Sequence, residues 1–205
     1  MSPSIRSVRM NYIVYDTEFS QPQPKLYNPN SRFRPNPISP FEIIEIGAAK
    51  VSEDLEIIDT FDRLVKPIIY RKLSPIVVKK TGIKPVDLEK GNSFRDVMKD
   101  FKEFCGEDFV LCTWSTNDVK ILQNNCIFHK LQYDWISKYY DIQKQCSNIL
   151  RLPKNQAVGL KNALQAFDIE VDGRLHRAMD DAIHTAKVFI KVYSEEMRKQ
   201  ISNLG

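Results

Sequence analysis

Little in this chain points to membranes, cross-links or cofactor cradles. Its four cysteines (Cys105, Cys112, Cys126, Cys146) form no C-x-x-C pair and have no histidine at zinc-finger spacing. Reduced core thiols are therefore expected rather than disulfides or a structural zinc. No stretch approaches the ~18 apolar residues of a membrane span. Arg6 and Arg9 precede an apolar run of only four residues, too short for a signal peptide, so a cytoplasmic location is the expectation. A phosphate-cradling P-loop, a dinucleotide G-x-G-x-x-G and a nucleophile elbow G-x-S-x-G are all missing, which removes kinase-like, dehydrogenase and serine-hydrolase readings. Excess charge is small as well. A net +4 is compatible with a polyanionic partner without demanding one.

What is present fits one sizeable soluble domain: 205 residues, 42% hydrophobic and 27% charged, enough to bury a real core. The most informative segment is Tyr12-Ile13-Val14-Tyr15-Asp16-Thr17-Glu18-Phe19. Its apolar start reads as a central strand buried on both faces, and it ends in two acids, which are poor strand residues. Residues i and i+2 of a strand share a face, so Asp16 and Glu18 would project side by side. Like charges held that close call for a cation or a shared proton between them. The plainer alternative is a strand whose acids mark its exit into solvent.

The remaining pattern is that of a mixed α/β layer fold. Strands are expected over 11–19, 41–51 and 57–65, the second and third pairing antiparallel across Ser52-Glu53-Asp54. Pro75, Gly82 and Pro85 limit residues 74–90 to short helices. Apolar residues at 94, 97, 98, 101, 104 and 105 predict an amphipathic helix. A strand over 109–114, a helix over about 117–126 and a short helix around 160–167 follow. Ala182, Ala186, Phe189, Ile190 and Tyr193 define the last helix expected. Residues 20–40 stand apart, with six of the eleven prolines. A connection that long is usually functional or disordered. Tyr27 and Phe33 interleaved with Lys25, Arg32 and Arg34 would suit phosphates and base faces, and a solvated insertion or a dimer contact fits the composition too.

Two further acids belong to the pattern. Asp118 opens the helix after strand 109–114, a position that also suits an ordinary N-terminal cap. Asp181 follows His176 by five residues. On one helix the two would lie about 140° apart, so they share a site only if His176 lies on the entering loop, which Gly173 makes feasible. A solvated surface histidine is the alternative.

D-x-E on the first strand, an Asp after a later strand and H-x4-D opening the last helix expected resembles the DEDDh, DnaQ-like 3′–5′ exonucleases. The resemblance runs from about Asn11 to Tyr193. Glu42-Ile43-Ile44-Glu45-Ile46-Gly47-Ala48, Lys72-Leu73-Ser74 and Thr81-Gly82-Ile83 look like the Eri-type RNA exonucleases. Asp172-Gly173-Arg174-Leu175-His176 with Asp180-Asp181-Ala182 is similar to that group and to the KapD group. Cys112-Thr113-Trp114-Ser115-Thr116-Asn117-Asp118 departs further from the family's second motif, and the insertion at 20–40 is longer than usual.

The resemblance implies an RNase H-like fold, a central mixed sheet flanked by helices, as one exonuclease domain over 1–205 with its core at about 11–193. It implies that Asp16, Glu18, Asp118 and Asp181 hold two Mg²⁺ (or Mn²⁺) ions, and that His176 acts as general base. The reaction would release nucleoside 5′-monophosphates from the 3′ end of a nucleic acid, single-stranded RNA ahead of DNA. Phe19, Ser20 and Trp114 are the candidate substrate contacts, though aromatics at strand ends are as often core residues. Asp180 is assigned to the helix N-terminus, where negative charge is favourable. His129 and His184 are expected to be structural or solvated. Scattered Arg71, Lys72, Lys79, Lys80 and Lys84 could track a phosphate backbone or form a solvated face. A different class, a KapD-like regulatory binding protein, would inhibit a partner by contact with catalysis incidental.

Overall fold

A computed structural model describes residues 10–22 and 35–204. Five strands form one mixed sheet in the order β3-β2-β1-β4-β5. They are β1 (Asn11–Ser20), β2 (Glu42–Val51), β3 (Ile57–Leu64), β4 (Phe109–Thr113) and β5 (Tyr139–Asp141). The first three pair antiparallel, whereas β4 and β5 run parallel to β1 and to each other. The helices are α1 (Pro75–Thr81), α2 (Pro85–Glu89), α3 (Phe94–Cys105), α4 (Thr116–Phe128), α5 (Ile142–Ile149), α6 (Leu160–Ala166), α7 (Ala178–Val192) and α8 (Glu195–Ser202). Among the described residues no helix is long and apolar enough to cross a membrane.

The period-2 alternation of β1 divides the core. Tyr12 and Val14 point to a cluster under α7 with Ala186 and Phe189. Ile13 and Tyr15 point the other way, to a cluster under α3 and α4 with Phe101 and Leu122. A strand covered on both faces is apolar along most of its length, as β2 is apart from Glu42, Glu45 and Lys50, and its residues are nearly all buried. The edge strand β3 is largely exposed, and Asp59, Asp62 and Arg63 along it discourage pairing with another chain.

Gly47 sets how close α7 comes to the sheet. A Cβ there would lie 2.1 Å from the backbone nitrogen of Met179, so only glycine lets the first turn of α7 rest on β2. Gly47 is the cross-strand partner of Asp16. The same contact therefore brings the start of α7 beside the acids of β1. At that end the β1–β2 register slips between Glu18 and Phe19, and bulges of this kind often re-aim side chains beside a site.

Strand and helix bounds fall close to expectation, and α3 spans the predicted residues. Three differences stand out. Two strands follow β3 instead of one, because the three-residue β5 is too short to show alternation. The predicted stretch around 182–193 is not the last helix: α8 follows it, and its Met197 and Ile201 are buried in the α7-side core. Helix α5 arises from a polar segment capped by the Asp141 side chain, which accepts from the Lys144 N–H at 2.9 Å. Of the proline-rich stretch, Tyr27, Phe33, Lys25, Arg32 and Arg34 lie outside the described residues.

Candidate active site

β1 and β4 run parallel, and each delivers an acid near its carboxyl end. β1 carries Asp16 and Glu18 directly. β4 feeds α4, whose N-cap Ser115 accepts from the Asn117 N–H and whose first turn holds Asp118. The carboxylate of Asp118 accepts from the Thr17 hydroxyl at 2.9 Å and from the Ser115 hydroxyl at 3.4 Å. Thr17 points away from Asp16 and Glu18, so β1 supplies acids from one face and orients a third acid from the other.

The remaining groups come from the approach to α7. His176 has φ 71, a left-handed conformation that is uncommon outside glycine. It thus lies on the entering loop, as its five-residue offset from Asp181 requires. Its N–H donates to Asp181 Oδ2 at 3.1 Å. Asp181 is buried, and its Oδ1 has no partner among the described residues. Asp180 turns aside and accepts from the Arg174 N–H at 3.3 Å, which separates the two neighbouring acids as helix geometry predicts.

One ligand atom from each of Glu18, His176 and Asp181 lies within 4.8 Å of the others, a spacing that a cation could bridge. The electrostatics extend the cluster to all four acids. Burial pushes the Asp16 carboxyl well above the ordinary carboxylate range, and Asp118, Glu18, Asp181 and Glu45 raise it further. Burial carries Glu18 up to about 7 against the pull of Lys80. It carries Asp181 up to about 6, against the His176 N–H bond and Lys80. Asp118 is raised by burial and held back by Thr17 and Ser115. These carboxylates are thus short of positive charge, and Lys80 of α1 is the cation felt by Glu18, Asp181 and His176 alike.

Sequence reading missed the props behind this cluster. Glu45, fully buried, pairs with Glu18 across the β1–β2 register. Its carboxylate accepts from Arg177 Nε at 2.9 Å and from the Ala178 N–H at 2.9 Å, tying β2 to the N-terminus of α7. An acid inside the apolar run Glu42–Val51 was the visible signal. Arg174 donates to the Lys79 carbonyl at 3.1 Å and packs over Gly82, where a Cβ would meet its guanidinium at 2.2 Å. The loop carrying His176 is thereby fastened to the end of α1. Among the candidate substrate contacts, Phe19 is half-buried and edge-on to Phe41, 5.0 Å between ring centres. Ser20 and Trp114 are buried, Trp114 in the α7-side core. His184 is buried, and His129 stacks on Phe94.

A first strand with two acids, a parallel neighbour whose helix brings a third and a late helix that brings a fourth define a DEDDh-type 3′–5′ exonuclease on an RNase H-like fold. Known proteins place it further: the chain belongs to the RNase_T exonuclease family, whose sequence pattern matches residues 13–189. It is 28% identical over 178 residues to the Bacillus subtilis protein named "Probable 3'-5' exonuclease KapD", covering 86% of this chain and 82% of that one. It is 26% identical to the 3'-5' exoribonuclease 1 of Homo sapiens, covering 78% of this chain but only 49% of that protein. The fold matches the nuclease domain of 3'hExo, a DEDDh family member solved with rAMP, at TM-score 0.74 and 24% identity, covering 95% and 94% of the two chains.

Proposed function

We propose that this chain is a metal-dependent 3′–5′ exonuclease that removes nucleoside 5′-monophosphates from RNA. The observation that carries it is the convergence of Asp16, Glu18, Asp118, Asp181 and His176 at one end of β1. The donor set suits hard cations, being all oxygen apart from His176. A buried Asp181 oxygen lacks a partner among the described residues, and the raised carboxylates need positive charge. Asp16, Glu18, Asp118 and Asp181 would hold two Mg²⁺, with Mn²⁺ as substitute. Bound there, the ions would activate the attacking water and stabilise the departing 3′ oxygen.

The chain's own groups do the rest. His176 takes the proton of the attacking water as the P–O3′ bond breaks and the 3′ oxygen leaves with a proton from solvent. Burial, Lys80 and Arg174 lower the His176 pKa, so its imidazole is neutral and able to accept at pH 7. Asp181 fixes the His176 backbone, and Thr17 fixes Asp118. Lys80 draws a phosphate toward the acids. Phe19, half-buried near the end of β1, packs on the terminal nucleotide. A cytoplasmic setting belongs to the same reading.

RNA is favoured by the segments 42–48, 72–74 and 81–83 and by the exoribonuclease relatives. DNA is the second reading. The DNA polymerase III PolC-type of Thermotoga maritima is 32% identical over 77% of this chain, though that stretch is 11% of the polymerase. Matched 5′-labelled RNA and DNA, incubated with Mg²⁺, Mn²⁺ or EDTA beside Asp16→Ala, separate these readings. A metal-dependent ladder shortening from the 3′ end and lost in the variant is expected, faster on RNA. No shortening of either polymer would turn the assignment toward a KapD-like regulatory binding protein.

A further inference from the structure

On the face of the sheet opposite α7, a cavity of about 440 Å³ lies between α3 and the corner that follows α4. Arg95, Lys99, Lys102 and Lys130 line it together with Trp135, and no acid does. Lys102 Nζ stands 5.9 Å from the centre of the Trp135 ring. Arg95 donates to the His129 carbonyl at 2.8 Å, and Lys130 is set at the corner by φ 54. None of the four cations has a carboxylate within salt-bridge distance among the described residues.

Arg95, Lys99 and Lys102 fall at i, i+4 and i+7, one stripe of α3. Asp96, Asp100 and Glu103 form a second stripe one residue on. There Asp96 is engaged with the cap Ser93 and Asp100 faces Arg63. A helix stabilised by its surface charges alternates signs at i and i+4, because like pairs at that spacing are unfavourable. Arg95 and Lys99 are such a like pair, although Lys99 also has Asp96 and Glu103 within a turn, and the positive stripe faces a hollow with an aromatic wall. That combination suits a polynucleotide backbone with a base against the indole.

A short route joins the hollow to the acids. Phe19, next to Glu18, meets Phe41 edge-on. The Phe41 carbonyl accepts from Asn125 of α4 at 2.8 Å. One turn further along α4, the His129 carbonyl holds Arg95. From Asp118 to the end of α4 at Phe128 the helix spans about 15 Å at its usual rise, which is about four nucleotides of a helical strand at 3.4 Å each.

We infer that this basic hollow binds the phosphate backbone of the strand being degraded, several nucleotides upstream of its 3′ end. The inference rests on the exonuclease reading above and assigns to that enzyme a second contact, one that short substrates cannot reach. Enzyme with Lys99, Lys102 and Lys130 all changed to Glu, and a milder form with all three changed to Gln, would be compared with the parent. A Lys154, Lys161 and Lys191→Glu variant serves as control with the same charge change on exposed positions elsewhere. The substrates are a 20-nucleotide RNA and a dinucleotide.

For the 20-mer, KM should rise about tenfold or more at low salt in the Glu variant and less in the Gln variant, with kcat held. Three lost phosphate contacts should also flatten the log–log salt dependence of binding by about 2. The dinucleotide should be cleaved as before, and the control should behave as the parent. Unchanged 20-mer KM, or an equal change in the control, overturns the inference and leaves the hollow to an acidic protein partner or to solvent. If the parent cleaves neither substrate, the exonuclease reading is what fails. Fluorescence anisotropy of the 20-mer in EDTA then still decides the hollow: weaker binding in the Glu variant alone supports it, and equal binding overturns it.

Discussion

The two halves of the candidate site are built differently. Asp16, Glu18 and Asp118 stand on a central strand and on the first turn of the helix after β4, packed between two cores. His176 stands on an exposed loop, at positive φ, three residues after Gly173 with φ 81. The strand half is fixed by sheet register and by the Thr17 bond to Asp118. The loop half is fixed by a few single contacts: the His176 N–H to Asp181, the Arg174 N–H to Asp180 and the Arg174 guanidinium to the end of α1. Rigid placement suits groups that must hold charge close together, because carboxylates free to part would do so. An adjustable loop suits a base that must let a nucleotide in and out.

The comparison breaks most sharply at Asp16. Asp16→Asn should lower kcat by at least about a thousandfold, on the scale of losing a principal electrostatic group. The same change should raise the melting temperature of the metal-free protein, because it removes one of several mutually repelling carboxylates. Loss of activity together with loss of apo stability would show that Asp16 is a structural acid. Asp181→Asn should follow Asp16→Asn, whereas Asp180→Asn should keep most of its turnover and lose mainly stability.

His176→Ala probes the other half. A general base contributes typically 10²–10⁴-fold, so kcat should fall by about that much. Its effect on metal should be slight. If His176 acts only on the proton, Mg²⁺ will raise the melting temperature of the variant as it does for the parent, by binding the folded form alone. A metal shift reduced as strongly as in Asp16→Asn would make His176 a ligand, which its place within 4.8 Å of Glu18 and Asp181 also permits.

What could be read from the sequence follows the same division. Asp16, Glu18 and the offset from His176 to Asp181 are local patterns, set by the 2-residue period of a strand and the 100° step of a helix. The bounds of β1, β2 and α3 were legible because their apolar residues repeat over eight or more positions. β5 and α8 were not, since three residues show no period and Met197 and Ile201 alone do not announce a buried face. Arg177, Arg174 and the link from Lys80 to the acids were hidden for another reason. Each acts on a partner far away in the chain, and nothing local to an arginine says which carboxylate or helix end it will meet.

A pH series tests the strand half without mutation. Glu18 is raised from 4.5 to about 7 and Asp181 from 3.8 to about 6. An acid whose folded pKa lies above its unfolded value contributes stability that is complete below the unfolded value and lost as pH climbs through the folded one. In EDTA, these two acids therefore pull the melting temperature down between about pH 4.5 and pH 7.5. The pull is clearest above about pH 6.5, where His129, His176 and His184, all held below their ordinary value, no longer oppose them. For Glu18 alone the loss is roughly 3 kcal/mol, on the order of 6–12 °C for a chain of this size. Mg²⁺, which needs the carboxylates ionised, should recover more at pH 8 than at pH 5.5. A melting temperature flat with pH and indifferent to metal would mean that the acids do not converge.

The smallest effect is expected at Arg174. Arg174 is an exposed residue, so removing its bond to the Lys79 carbonyl costs little in folding, about 1 kcal/mol or less. Its value lies in holding the His176 loop against α1. Arg174→Ala should lower kcat by about tenfold or less while leaving the metal-induced rise in melting temperature intact. Arg174→Lys keeps the charge but cannot reproduce the flat guanidinium over Gly82, so it should recover only part of the rate. Full recovery by lysine would reduce Arg174 to a point charge near the site. No loss in either variant would mean that the His176 N–H bond to Asp181 holds the loop by itself, and the loop half would then be as firmly built as the strand half.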